Sequence, residues 1–379
     1  MKLKVLVATA LVAATLISVA GVAGATAPEP SGFDDNPDQV VGGGSDTTYP
    51  FMSRADRLYN ESQGCETINT SGDANLGKCI TPTNAGTAVK GDWDHDFFVE
   101  KYPSGSSAGA KGVQDGVFDY ARSSRAPKAS GEGDLNFWAF GKDGLVFETY
   151  GTRTPGNLTK AQIQGIYNCS ITSWQTITGN PADAGKTIQP WGMNPNSGTK
   201  ATMDTFLGFD LNAGSCVKKL SAPANYYPFE NDSKPIIADP AFDANNAFWF
   251  GSYAEYKAWG YKRQTAQSWS VNGIAPSAGA ISNNTYPATR FIYHVTRKVD
   301  VSDSSPAGTE ALGGADSAKP GAVREYTKFL CKGSTAHDNN DFTGLTNYQE
   351  LTQIYSDTGY IRLPVTERTN GICRLVPGP

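Results

Sequence analysis

Three times along this chain a short apolar run gives way to a polar turn of Gly, Ser and Thr, and a helix-patterned segment follows. The turns are Gly42 to Thr48 (GGGSDTT), Ser104 to Lys111 (SGSSAGAK) and Asn196 to Thr199 (NSGT). Strand, turn and helix in repeated succession restrict the chain to the α/β class. A helix start carries backbone N–H groups without an intrahelical partner and the positive end of the helix dipole, which together suit an anion. The hydroxyls add donors, and glycine lets a ligand come close to the backbone. Taken singly, each turn also reads as an ordinary N-cap. Neither familiar nucleotide loop fits: Gly198 is followed by Thr199-Lys200 rather than Lys and then Ser or Thr, and the first turn lacks the third glycine of a dinucleotide fingerprint.

Met1 to Ala25 carries Lys2 and Lys4, an apolar run from Val5 to about Val22, and then Ala23-Gly24-Ala25. This reads as a cleaved secretory signal peptide (residues 1–25), with no membrane span in the mature chain. No cysteine near the cleavage point offers a lipid anchor, and an extracellular or periplasmic location follows. The length of 379 residues suits two domains. The net charge of -5, with Lys and Arg scattered, leaves no basic stripe and argues against nucleic acid. Six cysteines leave several disulfide pairings open. Joining sequence neighbours, Cys65 with Cys79, Cys169 with Cys216 and Cys331 with Cys373, keeps each bridge within one segment and is favoured. Metal binding is disfavoured, since no cysteine pair has short ligand spacing and the histidines number three: His95, His294 and His337. The run Asp92, Asp94, His95, Asp96 reads as a solvated loop.

Around the turns, Gln39 to Val41 reads as a strand and Tyr49 to about Asn60 as a helix. Val117 to Pro127 reads as a strand ending in Ser123-Ser124-Arg125, where α/β sheets hold ligands; the alternative pairs Arg122 and Arg125 with nearby carboxylates. Leu145 to Tyr150 reads as a strand, Leu158 to Tyr167 as an amphipathic helix capped by Thr159, and Leu345 to Tyr355 as helical. Met203, Phe206 and Leu207 share one face of the helix after Asn196 to Thr199. The aromatic runs Tyr226 to Phe229 and Phe248 to Tyr253 read as core and packing. Gly105-Ser106-Ser107-Ala108-Gly109 also spells the nucleophile-elbow pattern. A secreted serine hydrolase using Ser107 with His294 or His337 is therefore one alternative, and a binding fold that has lost its ligand and serves surface interaction is another.

The series Gly44 to Pro50, Gly105 to Gly109, Asp119 to Ser124, Leu158 to Tyr167 with Ile171 to Trp174, and Asn196 to Thr199 resembles, in order and spacing over Val40 to Gly208, the phosphate-binding proteins of phosphate ABC transporters. Tyr286 to Arg290 resembles that family's return crossing. The resemblance implies a two-lobe type II periplasmic-binding fold, α/β, with a non-enzymatic cleft for inorganic phosphate or a similar tetrahedral oxyanion, no cofactor, and an ABC permease as partner. One lobe would hold 38–149 plus 291–379 and the other 153–285, with hinge strands near Glu148 to Gly151 and Pro287 to Ile292. It implies ligand contacts from Asp46, Thr47, Thr48, Ser106, Ser124, Ser197, Gly198 and Thr199; Arg125 joins the candidate contacts as a compensating cation. Two positions differ from the family pattern: Ser124 (or Arg125) stands where an Asp accepts the proton of hydrogen phosphate, and Met193 stands where an Arg supplies charge. Compensation by Asp46 as acceptor and by Arg122 or Arg125 as cation is one expectation. A fully deprotonated anion such as sulfate is the other.

Overall fold

The computed structural model describes residues 39–62, 88–90, 105–222, 224–228, 234–258, 266–301, 322–332, 345–369 and 371–379. The leader, the run Asp92 to Asp96, Cys65, Cys79 and His337 lie outside them. The strands are β1 Gln39–Gly44, β2 Ala88–Lys90, β3 Tyr120–Ser123, β4 Leu135–Thr149, β5 Asn157–Leu158, β6 Gln189–Pro190, β7 Ala247–Ser252, β8 Gln267–Ser268, β9 Ser270–Val271, β10 Thr289–Arg297, β11 Ile361–Arg362 and β12 Arg374–Pro377. The helices that matter below are α1 Tyr49–Ser62, α2 Ser106–Gln114, α3 Lys160–Tyr167, α4 Gly198–Leu207, α5 Ala322–Lys332 and α6 Asn347–Thr358.

The main sheet runs β2-β1-β3-β10-β4-β7-β6, with β8, β11 and β12 also on β4. β1 is parallel to β2 and β3, and β6 is parallel to β7. β10 is antiparallel to both β3 and β4. The fold is thus mixed α/β. Strand β4 is its spine. All fifteen of its residues are buried; Leu135 to Gly144 pair with β10, and Leu145 to Thr149 pair with β7. A strand expected only from Leu145 begins ten residues earlier. The segment Gly141-Lys142-Asp143-Gly144 carries turn chemistry, yet tertiary partners hold it extended: Lys142 Nζ donates to Glu367 Oε1, to Asn284 Oδ1 and to the Ser282 carbonyl, and Asp143 pairs with Arg290.

Side chains divide along the same spine. From Leu145 onward, β4 packs with Tyr167, Trp174, Trp191, Met203 and the β7 run Phe248-Trp249-Phe250. Before it, Phe140 and Trp138 pack with Phe51, Tyr120, Ile292, Tyr326 and Tyr355, and Phe137 packs with Val113, Phe118 and Tyr293. The run Phe248 to Tyr253 forms core, as its pattern suggested, whereas Tyr226 is exposed, Tyr227 only packs against the core and Phe229 lies outside the described residues; Phe51 stacks on Phe140 at 4.8 Å between ring centres. Each such ring stabilises the fold by about 1.5–3 kcal/mol through burial.

Short-range side-chain chemistry sets several helix ends. Thr159 and Gln162 form a reciprocal capping box at the start of α3. Ser173 caps the short helix Trp174–Thr178. Met203 and Leu207 of α4 are buried, and Phe206 packs against the same core. Two disulfides join sequence neighbours, Cys169 to Cys216 and Cys331 to Cys373.

Candidate functional site

The three turns meet. Ser45 and Thr47 follow β1, Ser106 opens α2, Ser124 follows β3, and Ser197 to Thr199 open α4. Ser124 is the hub. Its Oγ accepts from Ser45 Oγ at 3.0 Å, lies 3.4 Å from Ser106 Oγ, and donates to Thr47 Oγ1 at 3.4 Å; its backbone N–H donates to Ser106 Oγ at 3.0 Å. Thr47 Oγ1 is in turn 3.2 Å from Thr199 Oγ1. All of these side chains are buried. Hydroxyls both donate and accept, so the cluster satisfies itself and can turn its O–H groups toward an acceptor without leaving a buried group unpaired.

Glycine makes the approach possible. A Cβ on Gly198 would lie 2.0 Å from Ser106 Oγ and 2.4 Å from Ser124 Oγ. Gly105 has φ +94, outside the range comfortable for other residues, and a Cβ there would lie 2.2 Å from the Asn196 carbonyl oxygen. Gly105 is also the N-cap of α2, and no side chain caps that helix. In contrast Ser197 Oγ caps α4 by accepting from the N–H groups of Thr199 and Lys200. The cap reading thus holds at Ser197.

Charges sort unevenly around this cluster. Position 193 is neutral: Met193 is fully buried, with its sulfur 3.3 Å from Ser197 Oγ. Arg125 is not the open cation it was expected to be. Its Nη2 and Nη1 lie 2.5 and 3.1 Å from the Glu132 carboxylate, and its Nε donates to Ser107 Oγ. The alternative of carboxylate pairing describes it. Lys200 pairs with Asp204 and Asp210. Arg122 donates through Nε to the Ser45 carbonyl, and its guanidinium sits over the Tyr49 ring. Burial lowers its pKa, while Asp46 and Asp56 act in the opposite direction. Asp46 is therefore an electrostatic neighbour of Arg122, and Thr48 Oγ1 reaches back to the Ser45 carbonyl.

Arg290, expected only as part of a return crossing, reaches the same hydroxyl cluster. Its Nη1 donates to Thr199 Oγ1 at 2.7 Å and to the Ser124 carbonyl at 3.3 Å, while its Nε and Nη2 both donate to Asp143 Oδ2. Thr202 Oγ1 also donates to the Ser124 carbonyl, at 3.1 Å. An Arg at the start of a returning strand was the available signal. A cavity of about 330 Å³ between the 125–128 segment, α4 and the start of β10 is lined by Arg290, Thr202, Lys128 and Phe291.

The arrangement of Ser107 with His294 does not form, and His337 lies outside the described residues. Ser107 Oγ takes its hydrogen bond from Arg125, and His294 is buried against Thr327 Oγ1, its pKa lowered by burial to about 3. Among the described residues no group of His, Cys, Asp and Glu could hold a metal ion, and no helix is long and apolar enough to cross a membrane.

A family model described as a PBP superfamily domain matches residues 92–310, more than half of the chain. The chain belongs to the PBP superfamily. Its fold is that of solved members. An ABC-type phosphate transport receptor from Vibrio cholerae is 19% identical, with TM-score 0.53, over 86% of this chain and 100% of that one. A protein from Clostridium perfringens, assigned as a phosphate ABC transporter substrate-binding protein and solved with bound phosphate, is 17% identical, with TM-score 0.54, over the same shares. No curated protein matches the sequence.

Proposed function

We propose that this PBP-superfamily chain is a secreted solute-binding protein that captures inorganic phosphate, or a tetrahedral oxyanion like it, without chemistry. The ligand enters a cleft between a lobe of residues 38–149 plus 291–379 and a lobe of residues 153–285, and ABC-type uptake through a permease follows. The two sets of packed side chains on either side of Leu145 support this division.

One observation carries the reading. Hydroxyls of Thr47, Ser106, Ser124 and Thr199, from four segments far apart in sequence, converge within hydrogen-bond distance beside the guanidinium of Arg290. A dehydrated oxyanion needs many short donors and an opposite charge, because burying it otherwise costs several kcal/mol. This cluster supplies both. The ligand contacts are accordingly Thr47, Ser106, Ser124, Ser197, Gly198 and Thr199, with Asp46 and Thr48 on the first turn.

Calorimetry on protein unfolded, stripped of ligand and refolded, titrated with phosphate and then with sulfate at neutral pH, tests it. Saturable heat with either anion is the expected result. Absence of heat with both overturns the reading.

A further inference from the structure

A buried dianion needs a counter-charge, and the other candidate positions direct their groups elsewhere. Met193 is a thioether, Arg125 gives both terminal nitrogens to Glu132 and its Nε to Ser107, and Arg122 gives its Nε to the Ser45 carbonyl with its guanidinium over Tyr49. We infer that Arg290, held in place by Asp143, is the counter-charge for the bound oxyanion and the clasp that joins the two sides of the cleft around it; this inference rests on the oxyanion reading above.

The geometry follows from register. Arg290 and Asp143 are direct partners across the antiparallel β10–β4 pair, at the point where β4 passes from one core to the other. Asp143 Oδ2 accepts both Nε and Nη2 of Arg290, and Asp143 Oδ1 accepts the backbone N–H of Ala254, so one face of the carboxylate is spent on the arginine and the other on the short helix Tyr253–Ala258. Both side chains are buried. The arginine is thereby fixed with its remaining nitrogen pointing at the hydroxyl cluster. That nitrogen, Nη1, reaches one side of the cleft through the Ser124 carbonyl and the other through Thr199 Oγ1.

Arg290 also lines the cavity beside α4, so an anion arriving there meets it. A carboxylate that takes two of the donors leaves a partial positive charge on the third group. Such a pair tolerates burial and still attracts an anion, and a single guanidinium spans distances that an ammonium cannot. Anion binding and cleft closure are then one event, since the ligand adds its charge where the guanidinium already touches both sides.

The test compares wild type with Arg290→Lys and with the double variant Arg290→Gln/Asp143→Asn, by calorimetry with phosphate and with sulfate and by thermal melting. The double change removes both charges together, so no buried charge is left unpaired. The expected result is a melting transition like that of wild type with affinity weaker by roughly a hundredfold, and Arg290→Lys weaker by about tenfold. Phosphate affinity of wild type should rise as pH climbs through about 7 and the dianion comes to prevail, and this rise should flatten in the double variant, an effect that loss of packing alone would not cause. A folded double variant with wild-type affinity overturns the inference and leaves the oxyanion reading standing. If the double variant does not fold, an Arg290→Lys protein with unchanged affinity overturns it equally. Wild type that binds neither anion removes both the reading and the inference.

Discussion

Two buried arginines flank the hydroxyl cluster, each with a carboxylate partner, and they are put to different use. Arg125 and Glu132 close on each other: the carboxylate takes both terminal nitrogens and also the Lys128 N–H, and the remaining Nε is given to Ser107. Arg290 and Asp143 pair through one edge of the guanidinium and leave the other edge to Ser124 and Thr199. Seven residues separate the first pair, so it folds as a local clamp on the loop after β3. The second pair is separated by 147 residues and exists only once β4 and β10 have met. Presence of an arginine near the cluster therefore says little; what matters is which of its donors remain directed at the hydroxyls.

The largest effect that separates the two pairs is on stability. Arg125→Ala strands the Glu132 carboxylate in a buried position and should lower unfolding free energy by about 3–5 kcal/mol in denaturant titration, with anion affinity little changed. An affinity loss comparable to that of the Arg290 variants would erase the distinction. Next in size, Gly198→Ala introduces a Cβ where Ser106 and Ser124 hydroxyls stand. It should weaken anion binding by ~1–3 kcal/mol in calorimetry, through forced separation of the two sides, while the Arg125 clamp keeps its contribution to melting.

A third buried arginine, Arg122, extends the comparison through pH. Its neighbour Asp56 accepts from the hydroxyls of Tyr120 and Tyr326, and burial raises its pKa to about 7 despite those bonds and Arg122. A carboxyl whose folded pKa exceeds its unfolded value contributes stability in acid. That contribution declines as pH rises from about 4 to about 7, by at most ~1.4 kcal/mol per pH unit. Asp56→Asn should flatten this decline in melts taken across that window; an unchanged pH profile would remove Asp56 as its source. The smallest effect belongs to Ser197→Ala, which removes the cap of α4 and should cost ~1 kcal/mol of stability. Any loss of affinity larger than that would mark Ser197 as a direct ligand contact.

The hydroxyl turns were legible because helix-start chemistry is written in four or five consecutive residues: Gly44 to Thr48, Gly105 to Ser107 and Ser197 to Thr199 each announce themselves. The core assignments of Met203, Leu207 and the Phe248 to Phe250 run were legible for the same reason, through periodicity and size. Arg290 was not, since its role depends on standing opposite Asp143 in a strand pair that no local window contains. The first ten residues of β4 were hidden by a Gly-Lys-Asp-Gly segment whose polar members find partners at Glu367, Asn284 and Arg290. Local chemistry marks the hydroxyl turns, and tertiary register places the Arg290 guanidinium beside them.

The spine strand has a consequence for the order of assembly. A chain delivered from its N-terminus presents β4 whole before either neighbour exists. The residues that cover Leu145 to Thr149 arrive with β7 and β8, whereas β10, β11 and β12, which cover Leu135 to Gly144, follow later. The later half of the spine can thus be sheathed while the earlier half still offers a bare, apolar edge to any passing strand. Protection of that edge is governed by how quickly β10, β11 and β12 are delivered, and deletion of β12 should reveal itself first as aggregation in light-scattering measurements.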